Sequence, residues 1–186
     1  TLFTFSVNYV TQLRTNYPWL IYFLPIGGIV IVLLYKLAKY KDAGTDLVIN
    51  SIHSEPHLPV RIGPLIFISS VITHLFGGSA GREGVAVQLG ATISHKFNKY
   101  FDFPNKSKIF LVIGMAAGFG GLFQTPIAAL FFSLEVLVLG NLQLYALLPA
   151  IVASFVASWT SAFLGLEKFN HFVNTNFAVT PLTFVK

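Results

Sequence analysis

Long runs of apolar residues with almost no charge divide this 186-residue sequence, and they constrain its fold more than any other feature. The clearest runs cover residues 19–38, 63–80, 109–139 and 142–166. Only 10% of the residues are charged, whereas a soluble domain carries about 25%. A hydrocarbon core about 30 Å thick takes roughly 20 apolar residues to cross, so the sequence predicts a membrane protein with roughly five to seven spans.

The lysines form two clusters, which predict how the chain is oriented in the membrane. One cluster includes Lys36, Lys39 and Lys41, and the other lies between His95 and Lys108. Basic loops are typical of the cytoplasmic side, so we expect both clusters there and no nucleic-acid partner. The chain has no cysteine, which excludes disulfides and thiolate metal sites. We expect neither a metal ion nor another cofactor.

The two basic clusters require residues 63–93 to leave the cytoplasmic side and return to it. This segment holds roughly one and a half spans of residues, which predicts a broken hairpin with its break between Gly81 and Gly84. Residues 109–139 contain one charge, Glu135, and are interrupted by glycines and Pro126, which predicts two shorter helices. The predicted fold class is therefore all-α, a polytopic membrane helix bundle with short and broken helices.

An arginine and a glutamate stand side by side at the predicted break, in Gly81-Arg82-Glu83-Gly84. A charge inside a membrane segment costs at least about 2.5 kcal/mol, so it usually faces protein or water and marks an ion or proton path. If a helix begins here, its first amides lack partners and lie at the positive end of the helix dipole, which favours an anion. Ionised Glu83 could occupy that site, and protonated Glu83 would leave it to a mobile anion.

A second interpretation of the same segment assigns it only a structural role. Arg82 and Glu83 would form a loop pair at the lipid headgroups. The spacings Gly77-x-x-x-Gly81 and Gly114-x-x-x-Gly118 would allow close helix packing. The residues alone leave this interpretation and the anion site equally open.

A third interpretation is an intramembrane serine hydrolase. The segment from Gly77 to Gly81 matches G-x-S-x-G around Ser79, and three histidines, His53, His57 and His74, are available as the base. That motif carries a nucleophile only when a strand precedes the serine. Residues 63–76 are helix-like instead, so we expect a transporter and not an enzyme.

Two segments resemble the CLC family of chloride channels and anion/proton antiporters. Residues 81–91 are similar to its G-R-E-G-P-x-V-Q-I-G signature, and residues 114–135 to its G-x-A-A-G-x-A-A-A-F-x-A-P-L-A-G-x-x-F-x-x-E stretch. The resemblance implies that residues 1–186 are the N-terminal half of a CLC-type inverted repeat, a transmembrane transport domain incomplete at both ends. It also implies a multi-pass homodimer in a bacterial inner membrane, with the second half completing each pore.

The resemblance also implies roles for residues at the break and at the inner mouth. Glu83 matches the family's external gate and proton acceptor, and the outer anion sites match backbone amides around it, at Gly81, Arg82, Gly84, Val85 and Ala86. The inner-mouth motif G-S-G-I-P matches Gly44-Thr45-Asp46-Leu47-Val48, which implies further anion contacts at Gly44, Thr45 and Asp46. The Thr45 hydroxyl would be an added donor, and Asp46 is first of all a candidate helix N-cap.

Departures from the family pattern point to one branch of it. The inner-mouth motif differs, Val85 replaces the proline after G-R-E-G, and Val136 replaces the second glutamate of the E-E pair. That glutamate is the inner proton acceptor of chloride antiporters. The changes resemble the fluoride-exporting branch, so we expect fluoride export in exchange for protons. A chloride channel, a chloride/proton antiporter and a non-transporting half-domain are the alternatives.

Overall fold

The structure is a computed structural model that describes residues 1–39, 62–136 and 144–166. These ranges contain seven α-helices: α1 Leu2–Asn16, α2 Leu24–Leu37, α3 Ile62–Leu75, α4 Arg82–Lys96, α5 Lys106–Phe123, α6 Pro126–Glu135 and α7 Leu147–Phe163. Short 3-10 helices occur at Pro18–Phe23, Phe97–Tyr100 and Leu144–Ala146. The described ranges contain no strand, and the predicted all-α class is confirmed.

Membrane-spanning length is reached by three helical stretches in the described part of the chain. They are Pro18–Leu37, Lys106–Phe123 and Leu144–Phe163. By contrast, α3 has 14 residues and α6 has 10. At 1.5 Å per residue these two helices are about 21 Å and 15 Å long, well short of a 30 Å hydrocarbon core. The predicted mixture of full spans and short helices is therefore confirmed.

The predicted hairpin is broken between α3 and α4, but the break covers residues 76–81 and therefore lies a few residues before the predicted Gly81–Gly84. Gly77 has a φ of +81°, a conformation that glycine adopts without steric cost. The amide of Gly78 donates to the carbonyl of Thr73 at 2.8 Å, and that of Gly77 to His74 at 3.2 Å, which is a Schellman ending of α3. The spacing Gly77-x-x-x-Gly81 thus forms a turn, and its interpretation as a helix-packing motif is wrong.

A second break separates α5 from α6, as predicted from Pro126. Gln124 ends α5 with a φ of 54°, and its buried side-chain amide donates to the backbone carbonyl of Leu166 beyond α7. Pro126 then occupies the first position of α6, where a missing N–H is tolerated. The Gln124 amide therefore links the break to the end of α7.

Replacing Gln124 with alanine should lower the thermal midpoint of the intact protein. The substitution removes a hydrogen-bond donor from the buried end of α7, a loss of about 1–3 kcal/mol. The control is Gln12→Ala, because Gln12 is an exposed glutamine on α1 and should change stability by less than about 0.5 kcal/mol. The measurement is the monodisperse fraction that remains after heating in detergent. Equal midpoints for both variants would contradict this role of Gln124.

The helices α4 and α5 cross so closely that their backbones touch. A Cβ on Gly90 would collide with the carbonyl of Gly114, and a Cβ on Gly118 with the carbonyl of Ala86. Small residues allow such contacts between membrane helices. The packing role predicted for Gly114-x-x-x-Gly118 is therefore confirmed. Beside this crossing lie the buried side chains of Val87, Ala91, Leu111, Val112, Met115 and Ala116.

The directions of the helices define two ends of the bundle. Gly63 lies beside Leu89 and Thr92, so α3 and α4 are antiparallel, and α5 runs antiparallel to α4 through the contact of Gly90 with Gly114. The start of α2 lies beside Gly78 through Leu24, so α2 also runs away from the turn. One end, which we call the lysine end, contains Lys36, Lys39, Lys96, Lys99, Lys106 and Lys108. The opposite end, the arginine end, contains Arg14, Arg82 and Glu83.

Candidate functional site

The start of α4 brings together most of the residues that the sequence singled out. Gly81 precedes the helix with an extended backbone, at φ −64° and ψ 132°, and Arg82 is the first helical residue. Gly81 has no side chain to cap this end, so the N–H groups of residues 81–84 have no acceptor within the helix. They lie at the positive end of a 15-residue helix.

The carboxylate of Glu83 folds back over the start of its own helix. Its Oε2 lies 3.1 Å from the point where a Cβ on Gly81 would stand. Glu83 is exposed and forms no salt bridge with any residue that the structure describes. A negative group is stabilised in the first turn of a helix. Glu83 thus lies in the first turn of α4, at the positive end of the helix, and its role as a tethered anion stays a prediction.

The side chain of Arg82 reaches α1 instead of pairing with Glu83. Its Nη1 donates to Oδ1 of Asn8 at 3.4 Å. Both Arg82 and Glu83 lie in the first turn of α4, and no salt bridge joins them. The interpretation of these two residues as a loop pair is therefore wrong. A second cation lies against the turn between α3 and α4, where Nη1 of Arg14 is 3.2 Å from the Cβ position of Gly77.

The length of α4 determines the depth of this site in a membrane. Fifteen residues make a helix of about 22 Å, which is about 8 Å less than the hydrocarbon core. If Lys96 and Lys99 lie at one membrane surface, Arg82 lies inside the opposite one. Unpaired backbone groups at such a depth occur only where they are buried in protein or line a wet cavity. The exposure of Gly81 and Glu83 fits the second case.

Val85 and Ala86 lie one turn further along α4. Helix amides at these positions donate to the carbonyls of the preceding turn, and Ala86 is buried where α4 crosses α5. An anion contact through Val85 or Ala86 stays a prediction. The reasoning from sequence did not include the amide of Glu83 itself. With Gly81 as the N-cap, the four amides at the start of the helix are those of residues 81–84, and Glu83 is one of them.

The remaining candidates lie elsewhere or outside the described residues. Gly44, Thr45 and Asp46 fall in residues 40–61, which are outside the described ranges. Glu135 is the last residue of α6 and is exposed, and it lies far along the chain from α4. In the ranges that the structure describes, no group of three or more histidine or acidic side chains could hold a metal ion.

The serine of the hydrolase interpretation does not have the required surroundings. Ser79 is exposed and follows the helix α3, not a strand, whereas a nucleophile turn needs a preceding strand. One candidate base, the Nδ1 of His74, lies 2.8 Å from the backbone carbonyl of Ser70. His53 and His57 lie outside the described ranges.

Comparison with known proteins decides the family. The family described as "Voltage gated chloride channel" matches residues 26–186. The chain belongs to this family. It is therefore a CLC-family membrane protein, and the resemblance read from its two motifs is confirmed.

Relatives within the CLC family cover most of this chain but are much longer. The "Chloride/fluoride channel protein" of Pseudomonas syringae pv. tomato is 40% identical over 159 residues, which are 84% of this chain and 35% of the relative. The "Voltage-gated ClC-type chloride channel ClcB" of Salmonella typhimurium is 26% identical over 149 residues, which are 77% of this chain and 36% of the relative. The chain thus spans about a third of the length of these relatives.

A solved CLC structure resembles the whole fold. The crystal structure of a CLC-type fluoride/proton antiporter superposes with a TM-score of 0.84 and is 43% identical in sequence. The match covers 99% of this chain and 47% of that one. The chain therefore has the fold of about half of a CLC-type antiporter.

Proposed function

We propose that the protein containing this chain exports fluoride across a membrane in exchange for protons. The observation that supports this most strongly is the start of α4, where the carboxylate of Glu83 lies over the positive end of the helix. A helix start of this kind binds an anion without a desolvated cation. A tethered carboxylate at the same place makes occupancy by a free anion depend on protonation.

The proposed mechanism is a competition between two anions for one helix end. Ionised Glu83 occupies the positive end of α4 and excludes the transported anion. When Glu83 takes up a proton, it loses its charge and its attraction to the N–H groups, and a free anion binds there instead. Loss of the proton returns the carboxylate and displaces the anion. Each exchange of carboxylate for anion thus moves one proton, which couples the two fluxes.

The choice of fluoride rests on the chemistry of the donors and on the relatives. Fluoride is small and strongly hydrated, so its site must offer strong hydrogen-bond donors in place of water. The amides at a helix start are donors of this kind. The relatives whose names include fluoride are 40% and 43% identical to this chain, whereas ClcB, named as a chloride channel, is 26% identical. We propose the Thr45 hydroxyl as a further donor. No enzymatic reaction is part of the proposal.

Anion-selective electrodes can test the proposal on the intact protein in liposomes. Fluoride efflux should exceed chloride efflux by at least about tenfold, which corresponds to 1.4 kcal/mol of discrimination. Protein-free liposomes are the control for leak of hydrogen fluoride. Chloride efflux equal to or faster than fluoride efflux would assign the protein to chloride transport. No efflux of either ion would favour a non-transporting domain.

We also propose a homodimer in a bacterial inner membrane, with the second half of the domain completing each pore. Helices α6 and α7 expose large apolar side chains that a lipid or protein neighbour would cover: Ile127, Phe131, Val152, Phe155, Val156 and Trp159. The relatives in Pseudomonas and Salmonella are bacterial. The excess of lysine at one end favours an orientation with that end in the cytoplasm.

A further inference from the structure

The connection between α4 and α5 carries an excess of positive charge at the lysine end. Residues 95–110 contain four lysines and one acid, Asp102. Asp102 is already paired with Lys106, whose Nζ lies 3.1 Å from its Oδ1. Lys96, Lys99 and Lys108 form no salt bridge with any residue in the described ranges. Three positive charges are therefore available to an external anionic partner.

Aromatic side chains are exposed among these lysines. Phe97 is 49% exposed, Tyr100 68% and Phe101 50%. The Nζ of Lys99 lies 4.7 Å from the centre of the Tyr100 ring. We call Lys96, Phe97, Lys99, Tyr100, Phe101 and Lys108 the connection surface. Aromatic rings beside basic side chains are typical of protein segments at the boundary between membrane and water.

Hydrogen bonds hold the connection in a fixed shape. The Nζ of Lys106 donates to the carbonyl of Phe101 at 2.9 Å. The Nε2 of His95 and the Oγ of Ser107 are 2.8 Å apart, which joins the end of α4 to the start of α5. The rings of Phe101 and Phe110 pack at 5.3 Å between centroids. The surface is therefore formed in advance of any binding partner.

We propose that the connection surface binds the headgroups of anionic phospholipids. It lies at the same end as Lys36 and Lys39, where the span-length stretch Pro18–Leu37 ends, and thus at the level of a membrane surface. Lysines at that level are attracted by the negative potential of anionic lipids. The exposed rings enter the interfacial layer, which places the lysines against the phosphates. A soluble anion has no apolar part to cover the rings.

The test titrates palmitoyl-oleoyl phosphatidylglycerol into the intact protein in neutral detergent and follows the thermal midpoint. Phosphatidylcholine and inorganic phosphate are the comparison ligands. Binding to the native state raises the midpoint with lipid concentration. We expect phosphatidylglycerol to raise it, both comparison ligands to leave it unchanged, and high salt to remove the effect. A midpoint that rises equally with phosphatidylcholine or inorganic phosphate would overturn the proposal.

Two matched double variants test whether phosphatidylglycerol binds at the connection surface. Each surface lysine contributes about fivefold to the affinity for an anionic membrane, so Lys96→Gln with Lys99→Gln should weaken phosphatidylglycerol binding roughly 25-fold. The control is Lys36→Gln with Lys39→Gln, which removes the same charge from α2 at the same end. The control should weaken binding clearly less than the test variant does, because Lys36 and Lys39 lie outside the connection surface. Equal weakening in both double variants would show that charge at this end acts in general, and would contradict a site on the connection surface.

Discussion

Glu83→Gln should abolish proton transport by the intact protein while leaving its anion pathway in place. Glutamine has the size of a protonated glutamate, so it cannot carry a proton and does not compete for the positive end of α4. In proteoliposomes, proton movement driven by a fluoride gradient should fall by about 100-fold, the lower part of what a positioned proton-transfer group contributes. Fluoride flux should continue at a changed rate. The measurement combines a fluoride electrode outside the vesicles with a pH-sensitive dye inside.

Glu135→Gln is the matched control, because it makes the same substitution at the other described glutamate. Glu135 is the last residue of α6 and does not belong to α4. Its replacement should leave the ratio of protons to fluoride unchanged. Normal proton movement in Glu83→Gln, or its loss in Glu135→Gln alone, would remove Glu83 from the proton path.

Gly114→Val should cause a large loss of stability. Its Cβ would collide with the carbonyl of Gly90 and would lie 2.7 Å from the Cα of Ala91. Backbone atoms cannot move aside by changing rotamer, so α4 and α5 must separate. We expect a cost above about 3 kcal/mol, the upper part of the range for overpacking, and hence little monodisperse protein after purification.

The control for this substitution is Gly28→Val on α2. Gly28 is also a helical glycine, but a Cβ there would meet no atom within 4 Å. The Gly28 variant should keep a thermal midpoint within a few degrees of the parent, since a substitution at an uncrowded site changes stability by about 0.5 kcal/mol. Equal midpoints for the Gly114 and Gly28 variants would contradict the close crossing of α4 and α5.

Local signals in the sequence were sufficient to predict approximately where the helices break. The glycines near residue 81 and the proline at 126 indicate the two breaks, although the first break begins at residue 76, before the predicted Gly81–Gly84. The two lysine clusters also predict that residues 63–93 leave one membrane side and return to it, because lysines collect at the cytoplasmic side. The sequence alone was therefore sufficient to predict the all-α class, the hairpin and the position of Glu83 at a helix start.

Hydrogen-bond partners that are distant in sequence could not be predicted. Asn8, which accepts from Arg82, is 74 residues away, and Leu166 is 42 residues from Gln124. No local pattern encodes such pairs. The two G-x-x-x-G spacings also look alike in sequence, yet only the one beginning at Gly114 packs helices. Their roles differ because Gly77 has a positive φ and lies outside any helix. The turn at Gly77 and Gly78 also packs against Arg14, Ile21 and Leu24, which are distant in sequence.

The most direct test of the central claim measures proton uptake when fluoride binds to the intact protein in weakly buffered solution near neutral pH. In the proposed competition the anion binds at the start of α4 only when Glu83 is protonated, so the protein gains a proton as the anion binds. The account predicts close to one proton taken up for each fluoride bound by the parent protein, and none by Glu83→Gln, with sodium gluconate as the blank. Equal proton uptake by the two proteins would contradict it.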